Sequence, residues 1–283
     1  VNLLPGDKPA DVYTGVADMV RKRVAADAEG LTGKSPKEVE YARTLLPHVD
    51  RKLVKQTVMT SVYGVTFVGA RQQIQNRLKE RGAIPDESLR YMVACYGARS
   101  TLQGLNDMFG NARQVMEWLA ETANIVAATG DTVRWRTPLG LPVVQPYQKR
   151  GKKTVRTLMQ NFIITYDDGE HPSVKQKQKS AFPPNYIHSL DSTHMMKTAI
   201  DCHAVGLSFA GVHDSFWTHA GTTPEMNRIL REKFIEVHDA PLLDMLKEGL
   251  EKDYPNLKGG FADPPSLGTL DLQRVVDSAY FFS

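Results

Sequence analysis

The chain has 283 residues, of which 41% are hydrophobic and 24% charged, so it exceeds one average domain and can form a soluble core. Its formal net charge of +3 at pH 7 is too small to establish nucleic-acid binding, and the lack of an apolar run of about 20 residues argues against a membrane span. Its cysteines, Cys95 and Cys202, are too few for a disulfide framework and are not spaced as a zinc site, which predicts a reducing compartment.

The first half of the chain is predicted to be helical. Apolar residues recur at helical spacing, and glycine or proline residues end most of the segments. Asp50 is a good N-cap for the segment that stops at Gly64, because its carboxylate can accept from the first free amides of a helix. Helices are predicted at residues 9–28, 38–46, 51–63, 71–81 and 102–128.

The second half contains the predicted strands. The stretch from residue 146 to residue 180 is polar and basic and carries no predicted element, and Pro183 and Pro184 are expected to precede a helix. Many helices with few, late strands predict a predominantly helical α+β fold. Strands are predicted at residues 132–136, 141–145 and within 207–219, and helices at 188–205, 224–250 and near the end.

A stripe of side chains runs along the segment after Asp50. Arg51, Lys55, Met59 and Tyr63 are spaced four residues apart, so on a helix they form one slowly winding row. Two cations one turn apart can bind neighbouring phosphates of a triphosphate, and the Met and Tyr can contact a base pair or sugar. Gly64 lets backbone approach closely. An ordinary basic surface helix, with Met59 and Tyr63 in the core, fits the same spacing.

A carboxylate is predicted at the turn of the last strand pair. Apolar strand residues flank His213, Asp214 and Ser215, which places Asp214 at a tight turn, pointing outward. Such a carboxylate is a suitable ligand for Mg²⁺, which prefers oxygen donors. Nucleotidyl transfer uses such a metal, but it needs a second carboxylate. On its own, a lone aspartate at a hairpin is most often a turn former. A metal hydrolase or nuclease built on Asp214 lacks a second visible cluster of ligands.

A histidine follows the two prolines. His188 lies after Pro184-Asn185-Tyr186-Ile187, at what the prolines predict to be the start of a helix. Its side chain can donate a hydrogen bond to a sugar hydroxyl or a base edge. A capping or core role is equally compatible with the spacing.

The basic stretch is the strongest charge asymmetry in the chain. Its cations outnumber Asp167, Asp168 and Glu170, which indicates a face turned toward phosphate, although a solvated basic loop fits as well. The cations are Lys149, Arg150, Lys152, Lys153, Arg156, Lys175, Lys177 and Lys179.

Taken in order, these segments resemble the single-subunit, phage-type DNA-directed RNA polymerases, mitochondrial branch. Each motif alone is weak, but the segment Lys55–Gly64 followed about 150 residues later by His213–Phe216 is specific. The matching landmarks span nearly the whole chain and lie at residues 1–5, 51–64, 69–73, 135–143, 184–189, 213–217 and 280–283.

The resemblance implies a role for each of these side chains. Arg51 and Lys55 are implied to bind the triphosphate, and Met59 to face the templating region. Tyr63, with Gly64 beside it, is implied to select ribose over deoxyribose. His188 is implied to sense the ribose hydroxyl or the minor groove, a contact that separates RNA from DNA. Asp214 is implied to be the second of two aspartates that bind two Mg²⁺ ions.

The resemblance also implies the wider organisation. Residues 1–188 correspond to the fingers of a right-handed polymerase and residues 189–283 to the C-terminal part of the palm. The implied partners are a DNA template, nascent RNA, nucleoside triphosphates and mitochondrial initiation factors, and the implied location is the mitochondrial matrix.

One departure qualifies the implied activity. The family's first metal-binding aspartate lies in an Asp-Gly-Ser motif just before the landmark that begins at Val1, so the chain is expected to be a C-terminal fragment that is inactive alone. Two alternatives stay open: a DNA polymerase with a similar fingers helix, and a non-catalytic nucleic-acid-binding fragment.

Overall fold

The computed structural model describes residues 2–61, 64–166, 172–212 and 214–282. The chain forms two compact units: unit 1 comprises Val1–Asn2 and Gly6–Arg113, and unit 2 comprises Leu3–Pro5 and Gln114–Ser283. The division by contacts therefore falls near residue 113 rather than near 188. Whether residues 1–188 act as fingers and 189–283 as palm stays a prediction.

Unit 1 is built from helices whose starts are set by capping side chains. Asp11, Ser35, Thr66 and Asp86 each accept backbone hydrogen bonds at a helix N-terminus. The helices bury a common core of aliphatic side chains that includes Val16, Val20, Leu45, Ile74 and Leu78. The helices are α1 Val12–Ala28, α2 Pro36–Leu45, α3 Arg51–Ser61, α4 Phe67–Glu80 and α5 Glu87–Met108.

The predicted helix over residues 102–128 is wrong in its bounds. The structure has α5, which starts at Glu87, and a separate helix α6, Gly110–Ala128. Phe109 has φ −121° and ψ 37°, outside the helical region, and it ends α5. The sequence did not predict helix over residues 87–101, because buried polar and small residues there interrupt the helical spacing of apolar residues. At Gly97, for example, an added Cβ would lie 3.0 Å from Leu45.

Unit 2 combines helices with three antiparallel strand pairs, and no larger sheet occurs in the described part of the chain. Its predominance of helix confirms the predicted α+β class. The strands are β1 Arg134–Arg136, β2 Pro142–Val144, β3 Gly151–Arg156, β4 Asn161–Tyr166, β5 Ala210–Val212 and β6 Ser215–Trp217. The remaining helices are α7 Lys175–Ala204, α8 Thr223–His238 and α9 Leu242–Asp253.

Two expectations for the middle of the chain are wrong. The basic stretch contains the hairpin β3–β4, which was missed because nearly every residue in it is exposed and no apolar alternation marks a buried face. Helix α7 starts at Lys175 and contains Pro183 and Pro184, rather than starting after them. An internal proline costs about 3 kcal/mol, so packing must outweigh propensity here.

An aromatic cluster supplies that packing. Phe182 is fully buried, and its ring centroid lies 5.2 Å from Trp135 and 6.0 Å from Tyr186. Trp135 Nε1 donates to Ser189 Oγ at 3.0 Å. These contacts hold α7 against β1 both before and after the prolines. They therefore fix the orientation of the part of α7 that carries His188.

The predicted helix over 224–250 is divided in two, because Asp239–Pro241 separates α8 from α9. No helix in the part of the chain that the structure describes is long and apolar enough to cross a bilayer.

Candidate functional site

The predicted stripe lies on the surface of unit 1. Helix α3 buries Leu53, Val54 and Val58 on one side, and Arg51, Lys55 and Met59 are exposed on the other. Met59 is 47% exposed, so the interpretation of this residue as core packing is wrong. Arg51, Lys55 and Met59 are called the basic ridge below.

The first cation of the basic ridge is already held by the protein. Arg51 Nε donates to Asp11 Oδ2 at 2.7 Å, and its guanidinium lies 5.1 Å from the ring centroid of Tyr13. The hydrogen bond from Arg51 lowers the pKa of the Asp11 carboxyl to about 2. Sequence reasoning missed Asp11 and Tyr13 because a contact across 40 residues leaves no local signal.

The second cation is more available. Lys55 Nζ lies 5.7 Å from the Tyr13 ring centroid, and it pairs with no carboxylate among the described residues. Because Arg51 is partly neutralised by Asp11, Lys55 is the stronger anion-binding group of the ridge. The ridge is fixed in place by Thr57 Oγ1, which donates to Gln73 Oε1 of α4 at 3.1 Å.

Glycine 64 ends this helix through its backbone conformation. Gly64 has φ +72°, its N–H donates to Ser61 O at 3.0 Å, and the Val65 N–H donates to Thr60 O at 3.1 Å. This pair of bonds is a Schellman cap, which favours glycine. An added Cβ would meet nothing within 4 Å, so φ rather than space requires glycine here. Tyr63 lies outside the described residues, and its role stays a prediction.

Asp214 lies in the turn of the β5–β6 hairpin. Val212 pairs with Ser215, and Asp214 lies in the turn between these strands, where it is exposed. This confirms the predicted strand pair and turn position. His213 lies outside the described residues. An exposed carboxylate on a hairpin suits Mg²⁺ as one ligand, but the described residues contain no group of three possible metal ligands.

The hairpin is held against α7 and the end of the chain. An added Cβ on Gly211 would lie 3.2 Å from Met195 Sδ, which shows how closely β5 approaches α7. The Phe216 ring centroid lies 5.4 Å from Phe209 and 5.0 Å from Phe282. Asp214 is therefore exposed in the turn of a hairpin whose strands pack against α7 and the end of the chain.

His188 lies within α7 rather than at the start of a helix, so the predicted capping role is wrong. The side chain is exposed, which also excludes a core role, and its Nδ1 lies 3.9 Å from Asp191 Oδ2. His188 and Met195 are seven residues apart, and they share a helix face about 10 Å apart along the axis. His188 thus lies on the side of α7 that carries the hairpin of Asp214.

The missed hairpin β3–β4 is the main basic surface of unit 2. Its register places Lys153, Phe162 and Ile164 on one face and Lys152 and Arg156 on the other. These cations form no ion pair within the described ranges. At the tip, Leu158 and Met159 are almost fully exposed. At the base, a cleft of about 430 Å³ is lined by several residues that include Lys149, Arg150 and Lys177.

The basic ridge belongs to unit 1, whereas His188 and Asp214 belong to unit 2. Within unit 2 the structure brings His188 and the hairpin to one face of α7. That the ridge and Asp214 act on the same nucleotide stays a prediction.

Comparison with known proteins gives the family. The family model described as DNA-dependent RNA polymerase matches residues 1–260. The whole chain is 52% identical to DNA-directed RNA polymerase 1, mitochondrial, of Nicotiana sylvestris, and 51% identical to DNA-directed RNA polymerase 2, chloroplastic/mitochondrial, of Arabidopsis thaliana. It spans 28% of the length of each of these relatives. It is also 52% identical to DNA-directed RNA polymerase 2A of Nicotiana tabacum, of which it covers 84%.

A model match over most of the chain, with half of its residues identical to those of plant organellar enzymes, confirms the resemblance: the chain belongs to the single-subunit DNA-dependent RNA polymerase family.

Proposed function

We propose that the chain supplies the nucleotide-binding helix and one metal-binding aspartate of an enzyme that synthesises RNA on a DNA template. The observation that carries the proposal is Asp214, an exposed carboxylate in the turn of a hairpin whose strand β5 packs against α7. The exposed basic ridge of α3 supplies the cations that a triphosphate requires.

In the proposed reaction, the RNA 3′-hydroxyl attacks the α-phosphate of a nucleoside triphosphate. A bond forms between that oxygen and the α-phosphorus, the bond to the β-phosphate oxygen breaks, and pyrophosphate leaves. Lys55 and Arg51 would bind the non-bridging phosphate oxygens, with Met59 toward the templating region. Two Mg²⁺ ions, when bound, would stabilise the charge of the attacking and leaving oxygens, and Asp214 would be one of their ligands.

Selection of ribonucleotides is proposed to depend on His188 and Tyr63. The exposed imidazole of His188 can donate a hydrogen bond to a ribose hydroxyl from the face of α7 that carries the hairpin. Tyr63 would contact the sugar as well. A comparison of ribonucleotide and deoxyribonucleotide incorporation separates this proposal from a DNA polymerase, which would prefer the deoxyribonucleotide.

The nucleic-acid partners are proposed to lie along β3–β4. Lys153 beside Phe162 and Ile164 gives one face of the hairpin both charge and apolar surface, a combination suited to backbone phosphates and stacked bases. DNA template and nascent RNA are the proposed ligands. We further propose the mitochondrial matrix as the location and mitochondrial initiation factors as partners, although some relatives are named chloroplastic.

A non-catalytic role is the second candidate for the 283-residue chain by itself. Its support is that the described residues offer no cluster of ligands around Asp214. In this case the chain would bind nucleic acid in a salt-dependent way and extend no primer. We expect this behaviour of the isolated chain, and primer extension by a clean preparation of it would contradict the expectation.

Asp214→Asn in a protein of the relatives' full length that contains this chain tests the proposal. We expect loss of RNA-primer extension with nearly unchanged template binding, because the amide keeps the shape of the turn and removes the metal-binding charge. Asp244→Asn is the matched control, since Asp244 is an exposed aspartate in the first turn of α9. Full activity of Asp214→Asn would contradict the proposal.

A further inference from the structure

The base of the β5–β6 hairpin rests on a buried histidine. His194 of α7 is 5% exposed. Its ring centroid lies 6.3 Å from Phe216 of β6, 5.6 Å from Phe234 of α8 and 6.0 Å from Phe282 near the end of the chain. One imidazole therefore contacts each of the elements that surround the hairpin base.

A hydrogen bond fixes this ring. His194 Nε2 donates to the Leu230 carbonyl of α8 at 2.8 Å, which ties α7 to α8 and sets the ring orientation. Burial lowers the pKa of the His194 imidazole, which favours the neutral form of the ring. The hydrogen bond and the neighbouring rings hold this imidazole in one orientation.

The backbone beside this cluster is strained. Phe282 has φ +62°, and it is the only non-glycine residue with positive φ among those the structure describes. A bulky residue adopts this conformation when surrounding contacts determine it. The contacts here are the rings of Phe216, at 5.0 Å, and His194. These ring contacts make Phe282 a member of the cluster although its side chain is 47% exposed.

The hairpin needs this support. Each strand of β5–β6 has three residues, and an isolated two-stranded hairpin of this size is marginal in water. Asp214 precedes Phe216 by two residues, a separation of about 7 Å along a strand. A shift of the Phe216 ring would therefore be transmitted almost directly to the carboxylate.

From this arrangement we infer that His194 is a positioning residue, which holds the β5–β6 hairpin so that Asp214 is preset to bind its metal ion. The inference rests on the proposed function only for the metal-binding role of Asp214. His194 itself is buried, so it offers almost no surface to substrate or metal.

The test measures metal binding directly as well as activity. The protein is a polymerase of the relatives' full length that contains this chain, stalled on template with an RNA primer lacking its 3′-hydroxyl and a bound nucleotide. Mn²⁺ binding is followed by electron paramagnetic resonance. For His194→Ala we expect Mn²⁺ affinity to fall about tenfold, as for other residues that orient a metal ligand. The Mg²⁺ concentration for half-maximal primer extension should rise by a similar factor in the parallel activity assay.

His238→Ala is the matched control. His238 stacks on Phe234 at 4.1 Å, and its Nδ1 lies 2.8 Å from the Phe234 carbonyl oxygen, so it joins the same cluster through Phe234. We expect it to lower the melting temperature without changing metal affinity. Parent-like Mn²⁺ affinity in His194→Ala, or an equal loss in His238→Ala, would overturn the inference.

Two further variants keep the result interpretable. If His194→Ala does not fold, His194→Gln replaces it, because the amide can still donate to Leu230 but lacks the ring; parent-like metal affinity in that variant would overturn the inference. Asp214→Asn separates the two proposals. If this variant binds Mn²⁺ as the parent does, the metal-binding role of Asp214 fails, and the inference about His194 falls with it. If Asp214→Asn loses the metal and His194→Ala retains it, only the inference about His194 fails.

Discussion

Gly64→Ala should impair nucleotide use by more than its effect on stability can explain. Gly64 has φ +72°, and an alanine in the left-handed region costs about 1 kcal/mol or slightly more. No clash adds to this cost, because a Cβ at this position meets nothing within 4 Å. A loss of about 1 kcal/mol corresponds to a decrease in Tm of roughly 2 °C for a protein of this size.

The consequence for activity follows from the position of the cap. Gly64 directly follows Tyr63 in the sequence, so a change in the φ of Gly64 is expected to shift the residue proposed to contact the sugar. A displacement of about 1 Å in a positioning group can cost as much as about 100-fold in rate. We expect kcat/KM for ribonucleotides to fall on the order of tenfold.

Gly82→Ala provides the control, because it changes an equivalent cap at the end of α4. Gly82 has φ +60°, its N–H donates to Lys79 O at 3.0 Å, and an added Cβ meets nothing within 4 Å. For both variants, thermal unfolding is measured on the 283-residue chain, and single-nucleotide incorporation is measured on a protein of the relatives' full length that contains it. We expect equal losses of Tm and a loss of kcat/KM in Gly64→Ala alone. Equal losses of kcat/KM in the two variants, or none in either, would refute the reasoning.

Further expectations concern the cations and one carboxylate. Lys55→Ala should raise the KM for nucleotides about tenfold or more, since a charge-assisted hydrogen bond contributes roughly 1.5–3 kcal/mol. Lys52→Ala on the same helix should change this KM little. Equal effects of the two substitutions would contradict the proposal that Lys55 binds the triphosphate. Lys153→Ala should lower the magnitude of the slope of log binding constant against log salt for DNA by about 1, and an unchanged slope would exclude contact of this face with phosphate. Asp11→Asn should destabilise the protein at pH 7, because the lowered pKa of the Asp11 carboxyl means that folding favours its ionised form. In denaturant unfolding, the difference in stability between variant and parent should shrink as pH falls below the unfolded pKa of 3.8 toward the folded pKa of about 2. A stability difference that does not change with pH would contradict the Asp11–Arg51 interaction.

Local signals made the basic ridge predictable. Asp50 does cap the start of α3, since its Oδ1 accepts from the Leu53 N–H at 2.8 Å. The spacing of four residues correctly predicted that Arg51, Lys55 and Met59 lie on one exposed side of α3, and Gly64 follows the helix with a positive φ. The turn that carries Asp214 was predictable for the same reason, because the residues that form it are neighbours in sequence.

Long-range contacts were not predictable. No local pattern pairs Arg51 with Asp11, or places His194 under Phe216. Helix α7 continues through Pro183 and Pro184 because Phe182 packs on Trp135, a contact across 47 residues. The hairpin β3–β4 was missed for the opposite reason, since it lies on the surface, and an exposed hairpin needs no alternation of apolar and polar residues.

The central claim is that Lys55 and Asp214 act on one nucleotide, and a structure of the full-length protein with template, RNA primer, nucleoside triphosphate and Mg²⁺ tests it most directly. The claim predicts Lys55 Nζ within hydrogen-bonding distance of the triphosphate and an Asp214 oxygen bound to a metal ion at its α-phosphate. A nucleotide bound to Asp214 through its metal while Lys55 faces solvent on another surface would contradict it.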